Sequence, residues 1–192
     1  MKKLLAITIL TAAWNFSSGQ SRYFQLEKGS TLTYAYGSEL YGGTYDDTRI
    51  KVTILSATKM INGKEYLVSE TSTGKDDSYS LSATSYLRIS SDGFILAKLD
   101  EDGAEYTVMQ SSPEVGDAWT SRNGAYESTT RVTDLDGTIQ TANGTYQNCL
   151  VLEQTSEGNP TMHSYFKKDI GLVATTITAN GSEKVFFHLV DK

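Results

Sequence analysis

From Ser30 onward apolar residues fall at alternate positions in run after run, and the runs are joined by pairs such as Asn-Gly and Asp-Gly that tolerate positive φ. Ser30–Tyr36 puts Leu32, Tyr34 and Tyr36 on one face, and Arg49–Leu55 does the same with Ile50, Val52 and Ile54. Asn62-Gly63 turns the chain into Glu65–Ser72. Asp77–Ser90 is a longer run, expected to place Tyr79, Leu81, Ala83, Leu87 and Ile89 on one side. Asp92-Gly93 and Asp102-Gly103 then lead through Phe94–Leu99 to Glu105–Met109, so successive hairpins make a meander. No stretch spaces apolar residues helically between capping signals. The class is all-β and antiparallel.

Ser111-Ser112-Pro113 interrupts the meander, and Trp119 follows it. Tyr126–Leu135 is weaker and rich in threonine, and its Ser128–Thr133 stretch is the candidate exposed edge. Asp136-Gly137 and Asn143-Gly144 each read as a hairpin turn. The C-terminal third, Thr141 to Val190, reads as three strands joined by turns that include Glu157-Gly158-Asn159-Pro160 and Asn180-Gly181. The last, Lys184–Val190, is apolar on both faces, with Val185, Phe187 and Leu189 against Phe186 and Val190. Such a strand belongs between two covered layers, so it is expected at the centre of the core. These meanders can form a curved sheet, an open barrel or a two-sheet sandwich. No repeat is regular enough for a propeller or solenoid.

Residues 1–19 have the form of a signal peptide: Lys2 and Lys3, an apolar run from Leu4 to Trp14, then Ser17-Ser18-Gly19 before a cut at Gln20. The apolar run is too short to span a bilayer, and no second one follows. Cys149, the single cysteine, is far from the cut, which argues against a lipid anchor at the new terminus. Residues 20–192 are expected to be a single all-β domain, with a division into two lobes near 111–118 as the alternative. Loss of Lys2 and Lys3 takes the net charge from -6 to -8, since residues 1–19 contain no acid. An exported acidic chain with no basic run repels phosphate backbones, which excludes nucleic acid as a partner. One cysteine cannot close an internal disulfide, so a packed core must hold the fold; Cys149 opens the apolar run CLVL and reads as a buried small hydrophobe.

Signs of catalysis are weak. The two histidines, His163 and His188, lie on different strands with no HxxH spacing, and His188 falls within an apolar strand as a hydrogen-bonded core residue would. A zinc site would need both, plus Cys149 or a carboxylate, brought together by the fold. No GxSxG elbow marks a serine nucleophile. Asp100-Glu101-Asp102-Gly103 and Asp134-Leu135-Asp136-Gly137 overlap part of a calcium loop but lack its remaining ligands, and Asp-Gly between strands is accounted for as a turn. Asp46-Asp47 and Asp76-Asp77 read as solvated loop charges. Twelve tyrosines, with Tyr34, Tyr36, Tyr41 and Tyr45 close together, supply amphipathic rings that suit either strand formation or an aromatic-lined ligand site.

Four short motifs give the chain a resemblance. They are Leu26-Glu27-Lys28-Gly29 before a Tyr-rich strand, Val115-Gly116-Asp117 before Trp119, Asn143-Gly144-Thr145-Tyr146-Gln147-Asn148-Cys149, and Tyr165-Phe166 with Asp169-Ile170-Gly171-Leu172-Val173. Together they resemble the exported bacterial β-rich domains of unknown function grouped with TapB-like proteins and common in the Bacteroidetes. The chain departs from the usual opening at Leu32, where an aromatic is common. The resemblance implies export and a β-rich fold, and no activity. In physical terms, Gly144 and Gly171 suit positive φ or close approach at strand starts. Trp119, Tyr146, Tyr165 and Phe166 are expected to pack over strand ends.

The expected function is therefore non-enzymatic: an exported, periplasmic or extracellular module that binds or carries an apolar or other small ligand. The alternative is a structural or interaction protein of the cell envelope acting through sheet-edge pairing. No catalytic, metal or cofactor residue is assigned, and no integral membrane segment is expected in the mature chain.

Overall fold

The computed structural model describes residues 22–37, 40, 47–123, 126–179 and 181–192. The expected leader, residues 1–19, lies outside them, as do Tyr41, Tyr45, Asp46 and Asn180. The strands are β1 (Thr31–Tyr36), β2 (Thr48–Ile61), β3 (Lys64–Lys75), β4 (Ser78–Ile89), β5 (Phe94–Lys98) and β6 (Tyr106–Gln110). The second half adds β7 (Ala118–Asn123), β8 (Tyr126–Thr141), β9 (Gly144–Thr155), β10 (Met162–Lys167), β11 (Gly171–Ala179) and β12 (Ser182–Asp191).

All twelve belong to one antiparallel sheet in the order β6-β5-β4-β3-β2-β1-β12-β11-β10-β9-β8-β7. That is the chain order, joined where β12 pairs with β1 and cut once between β6 and β7. Across the cut, Ser121 Oγ on β7 donates to the Thr107 carbonyl of β6 at 2.6 Å. The sheet is a nearly closed barrel, and the loop carrying Pro113 bridges its open seam.

Local chemistry explains most turns. Asn62 and Gly63 sit at φ 50° and 76°, the paired left-handed residues of a tight hairpin. Asp76 also lies at positive φ, in the two-residue turn from β3 to β4. Gly144 and Gly171 adopt φ of 126° and 101° at the starts of β9 and β11, and a Cβ on Gly171 would sit 3.1 Å from Gln25 Cβ.

Several expectations fail, each for a physical reason. Asp136-Gly137 is not a hairpin turn: β8 runs on to Thr141, and Gly137 pairs with Cys149 inside a stretch with three register shifts between Val132 and Ile139. Asp134 Oδ1 accepts the Asp136 amide at 2.9 Å, and a Cβ on Gly137 would lie 2.3 Å from Val151 Cγ2. The Asp-Gly pair makes a bulge there, with glycine chosen for close approach. The C-terminal third holds four strands, because β9, β10, β11 and β12 all lie within or across it. The Ser128–Thr133 stretch is no edge, since β8 pairs with β7 on one side and β9 on the other. The single face expected for Asp77–Ser90 is split: Ala83 pairs with Thr71 but Leu81 pairs with Ser72, so Leu81 turns outward and is 58% exposed.

Direct pairing also assigns the two faces of the wall, because paired antiparallel residues project to the same side. Val132, Leu152, Ser164, Thr175, Phe187 and Tyr36 form one row across β8 to β12 and β1. The neighbouring row, Val151, Tyr165, Ala174, His188, Ala35 and Arg49, points the opposite way. The first row faces the lumen. Around it gather Ile54, Leu87, Ile95, Met109, Leu150 and Phe166, with Trp119 packed against them. A second cluster holds Cys149, Val151, Tyr165, Val173 and Leu189, with Ile139 and Tyr146 of the β8–β9 hairpin packed against it. Asn143 at that hairpin's tip donates to the Leu189 carbonyl at 3.3 Å, so the hairpin reaches across β10 and β11 to β12. The closing strand lies mid-sheet between β1 and β11, but only His188 and Leu189 are buried in it, and Val185, Phe186, Phe187 and Val190 are half-buried.

Candidate functional site

A side-chain core just fills a barrel of about eight strands, so a twelve-stranded wall encloses more space than its own residues occupy unless something plugs it. Here the segment before β1 closes part of one end. Tyr23 and Leu26 are buried against the lumen cluster, and the Phe24 ring stacks on Phe166 at 6.3 Å between centroids. The Asp169 amide donates to the Arg22 carbonyl at 2.6 Å and ties that segment to the β10–β11 turn.

Among the described residues two cavities share the lining residues Val108 and Phe166. The smaller, about 340 Å³, is walled by Leu32, Tyr34, Ile50, Val52, Leu87, Leu172 and Phe187, with Ser30 and Ser69 among its few polar groups. The Tyr34 hydroxyl donates to the Leu172 carbonyl at 3.1 Å, and burial pushes its phenol well above the usual tyrosine range. That leaves its ring as an apolar wall. The larger cavity, about 580 Å³, follows the seam: Tyr106 and Val108 come from β6, Ser121 from β7, and Ser128 and Thr130 from β8. Its far side mixes Gln154, Asn159 and Ser164 with Met162, Ile177 and Phe186. Phe186 and Phe187 both reach cavities because a register shift between Thr175 and Thr176 interrupts the alternation of β12.

The residues best suited to acid–base chemistry lie elsewhere. Glu105 receives Arg88 Nη2 at 2.7 Å and Lys64 Nζ at 3.2 Å, together with Arg88 Nε and the Tyr66 hydroxyl. The Arg88 guanidinium holds the Glu105 carboxyl down to about 2. Arg88 and Tyr66 alternate with the lumen residues Leu87 and Leu67, so this cluster is outside the wall. His163 pairs with Glu153 across β9 and β10, opposite the lumen-facing Ser164, with Nε2 3.4 Å from Glu153 and Nδ1 3.3 Å from Glu183. His188 is buried as expected, but its Nδ1 has no hydrogen-bond partner, and burial followed by the charge of Arg49 lowers its pKa. The structure does not bring the two histidines and Cys149 together as zinc ligands, and among the described residues no three His, Cys, Asp or Glu side chains form a metal-holding group. Cys149 is free and buried, with its thiol pushed up by that burial. Asp100 and Asp134 turn their carboxylates onto the amides of Gly103 and Asp136. Tyr165 and Tyr146 pack in the second cluster, whereas Trp119 and Phe166 belong to the lumen rather than to strand ends. Of the tyrosines singled out in the sequence, only Tyr34 lines a cavity among the described residues. No helix among the described residues is long and apolar enough to cross a membrane.

No family model matches the sequence, and no curated protein matches it. Among solved structures, a protein of Bacteroides fragilis that is taken to be exported and described as having a YMCC-like fold superposes with a TM-score of 0.52. The match is 13% identical and covers 87% of this chain and 96% of that one. The chain is similar to that protein in fold. A protein of Parabacteroides distasonis taken to be a lipoprotein gives a TM-score of 0.49 at 12% identity, covering 88% of this chain and 97% of that one. At these identities the likeness concerns the fold alone. What this barrel does has to be read from its lumen.

Proposed function

We propose that this protein is an exported, non-enzymatic binding module that carries an apolar ligand in the barrel lumen. One observation carries the reading: the wall leaves an apolar cavity of about 340 Å³ beside a second of about 580 Å³, with Val108 and Phe166 lining both. Both volumes fall within the roughly 300–1,000 Å³ typical of small-molecule sites; the smaller is lined largely by hydrophobic and aromatic side chains and the larger by polar and apolar ones together. Glu105, His163 and His188 sit on the opposite face, which supports binding without chemistry. Export rests on residues 1–19, with the mature chain beginning at Gln20, forming one domain and residing in the periplasm or outside the cell. The burial of Cys149 within the fold agrees with a chain that carries no lipid anchor.

A second reading has its own observation. β6 and β7 lack a backbone ladder on their facing edges, which is where an envelope partner could add a strand. Native mass spectrometry of the mature protein, isolated from the exported fraction, separates the two. An adduct of small-molecule mass that leaves on denaturation is the expected result. A bare chain that also fails to take up apolar probes would refute the carrier reading, and a stoichiometric protein partner would favour the edge.

A further inference from the structure

The two cavities differ in a way that specifies more than an apolar guest. Among the described residues, no lysine, arginine or histidine lines either one. The single charged lining group, Glu127, is already matched: Arg122 donates Nε to its Oε2 at 3.1 Å, and Nη2 to the same oxygen. Around the larger cavity the polar groups are instead hydroxyls and amides. Thr130 is buried, Gln154 Nε2 donates to Ser128 Oγ at 3.0 Å, and Ser164 and Thr175 share a hydroxyl contact of 3.3 Å. Hydroxyls and amides both donate and accept, so they complement an uncharged hydroxyl or ester. They cannot neutralise a carboxylate drawn out of water, and an unpaired buried charge is strongly disfavoured.

We infer that the lumen selects an uncharged amphiphile, with its hydrocarbon chain in the smaller cavity and a hydroxyl- or ester-bearing head among Ser128, Thr130, Gln154 and Ser164. The inference rests on the carrier reading above and narrows it to one ligand class. Phe166 and Val108, common to both cavities, form the waist where chain meets head. Among the described lining residues a fatty-acid anion meets no cation, and Arg122 beside them is already engaged by Glu127. A cationic amphiphile would have to displace Arg122 from Glu127.

Trp119 packs against the lumen cluster and is the one tryptophan beyond residues 1–19, so its fluorescence reports occupancy. The mature chain is titrated with three probes of equal chain length: 1-monolauroylglycerol, dodecanoate at pH 8, and dodecylamine at pH 7. The expected result is a dissociation constant for monolauroylglycerol at least ten-fold below that of either ion. In the Ser164→Lys variant, dodecanoate should gain at least ten-fold. Equal or tighter binding of either ion by the unaltered protein would overturn the inference while leaving a carrier. Failure of all three to bind, with Val108→Trp also leaving the fluorescence unchanged, would remove the carrier reading and this inference with it.

Discussion

Glu105→Gln is the substitution whose consequence can be worked furthest from the structure. The carboxylate sits where β3, β4 and the 99–105 loop converge, taking hydrogen bonds from Arg88, Tyr66 and Lys64. Its side chain is 22% exposed and that of Arg88 17%, so the pair is neither fully screened nor fully desolvated. Its pKa falls from 4.5 to about 2, first through the Arg88 hydrogen bonds. At about 1.4 kcal/mol per unit this corresponds to roughly 3 kcal/mol, which residual solvent access reduces to about 2 kcal/mol. The sign follows from linkage: a carboxyl depressed in the folded state contributes fully above its unfolded pKa and loses that contribution as pH falls toward the folded value. The difference in unfolding free energy between the parent and Glu105→Gln should therefore be about 2 kcal/mol at pH 7. It should shrink through the window between 4.5 and about 2. Urea denaturation followed by Trp119 fluorescence at pH 7, 5, 3.5 and 2.5 measures it. A difference that stays the same across that range, or is below about 0.5 kcal/mol at pH 7, would refute the assignment.

Gly137→Ala should cost about 1–3 kcal/mol by driving a methyl into Val151, and the double variant with Val151→Ala should cost less than the sum of the two singles; additivity would show that the contact is unimportant. Phe166→Ala should cost about 3–5 kcal/mol and merge the two cavities, raising the uptake of an apolar fluorescent dye. A loss below about 1 kcal/mol, or no change in dye uptake, would contradict Phe166 as the waist. His188 has its pKa lowered by burial, so the unfolded chain takes up its proton first and folding stability should fall as pH drops through 6.5 and below. His188→Leu should flatten that dependence and leave stability at pH 7.5 equal or higher, since it removes a buried ring nitrogen without a partner; an unchanged pH profile would rule out His188 as its source.

The strands were legible because their information is local. Alternation through Ile50, Val52 and Ile54 and the Asn62-Gly63 turn need no distant partner to be read, and both are in place. Asp136-Gly137 was misread because a glycine at a bulge and a glycine at a turn look alike; Val151, fourteen residues further along the chain, decides between them. Leu81 and Phe186 changed faces for the same reason: a register shift against a partner strand resets the parity of every residue beyond it. The closure of β12 on β1 is non-local, and so is the lumen that it creates. Alternation places the lining residues Leu32, Tyr34, Val52 and Phe187 each on one face of its strand. That they surround a space rather than fill it follows from strand number and closure, which alternation does not encode.

The lumen is packed around Ile54, Leu87, Ile95, Met109 and Phe166 but leaves cavities beside them, and two further features help to hold the barrel. The β8–β9 hairpin folds Ile139 and Tyr146 onto Cys149, Val151, Tyr165 and Val173, part of a second core that also takes in the cavity-lining Leu32 and Tyr34. The Arg88–Glu105–Tyr66 network fastens the 99–105 loop to the outer face of β3 and β4. With part of the cohesion placed on the outer side of the wall by the Glu105 network, the inner side can keep space for a guest. An amphiphile that binds the folded lumen and not the unfolded chain should raise the midpoint of thermal unfolding, by about 2.7 kcal/mol of stabilisation at a hundred-fold excess over its dissociation constant. That increment should be the same in Glu105→Gln as in the parent, because the two sites occupy opposite faces. An increment lost in Glu105→Gln would mean that the outer network holds the lumen in shape, and the separation of stability from binding would fail.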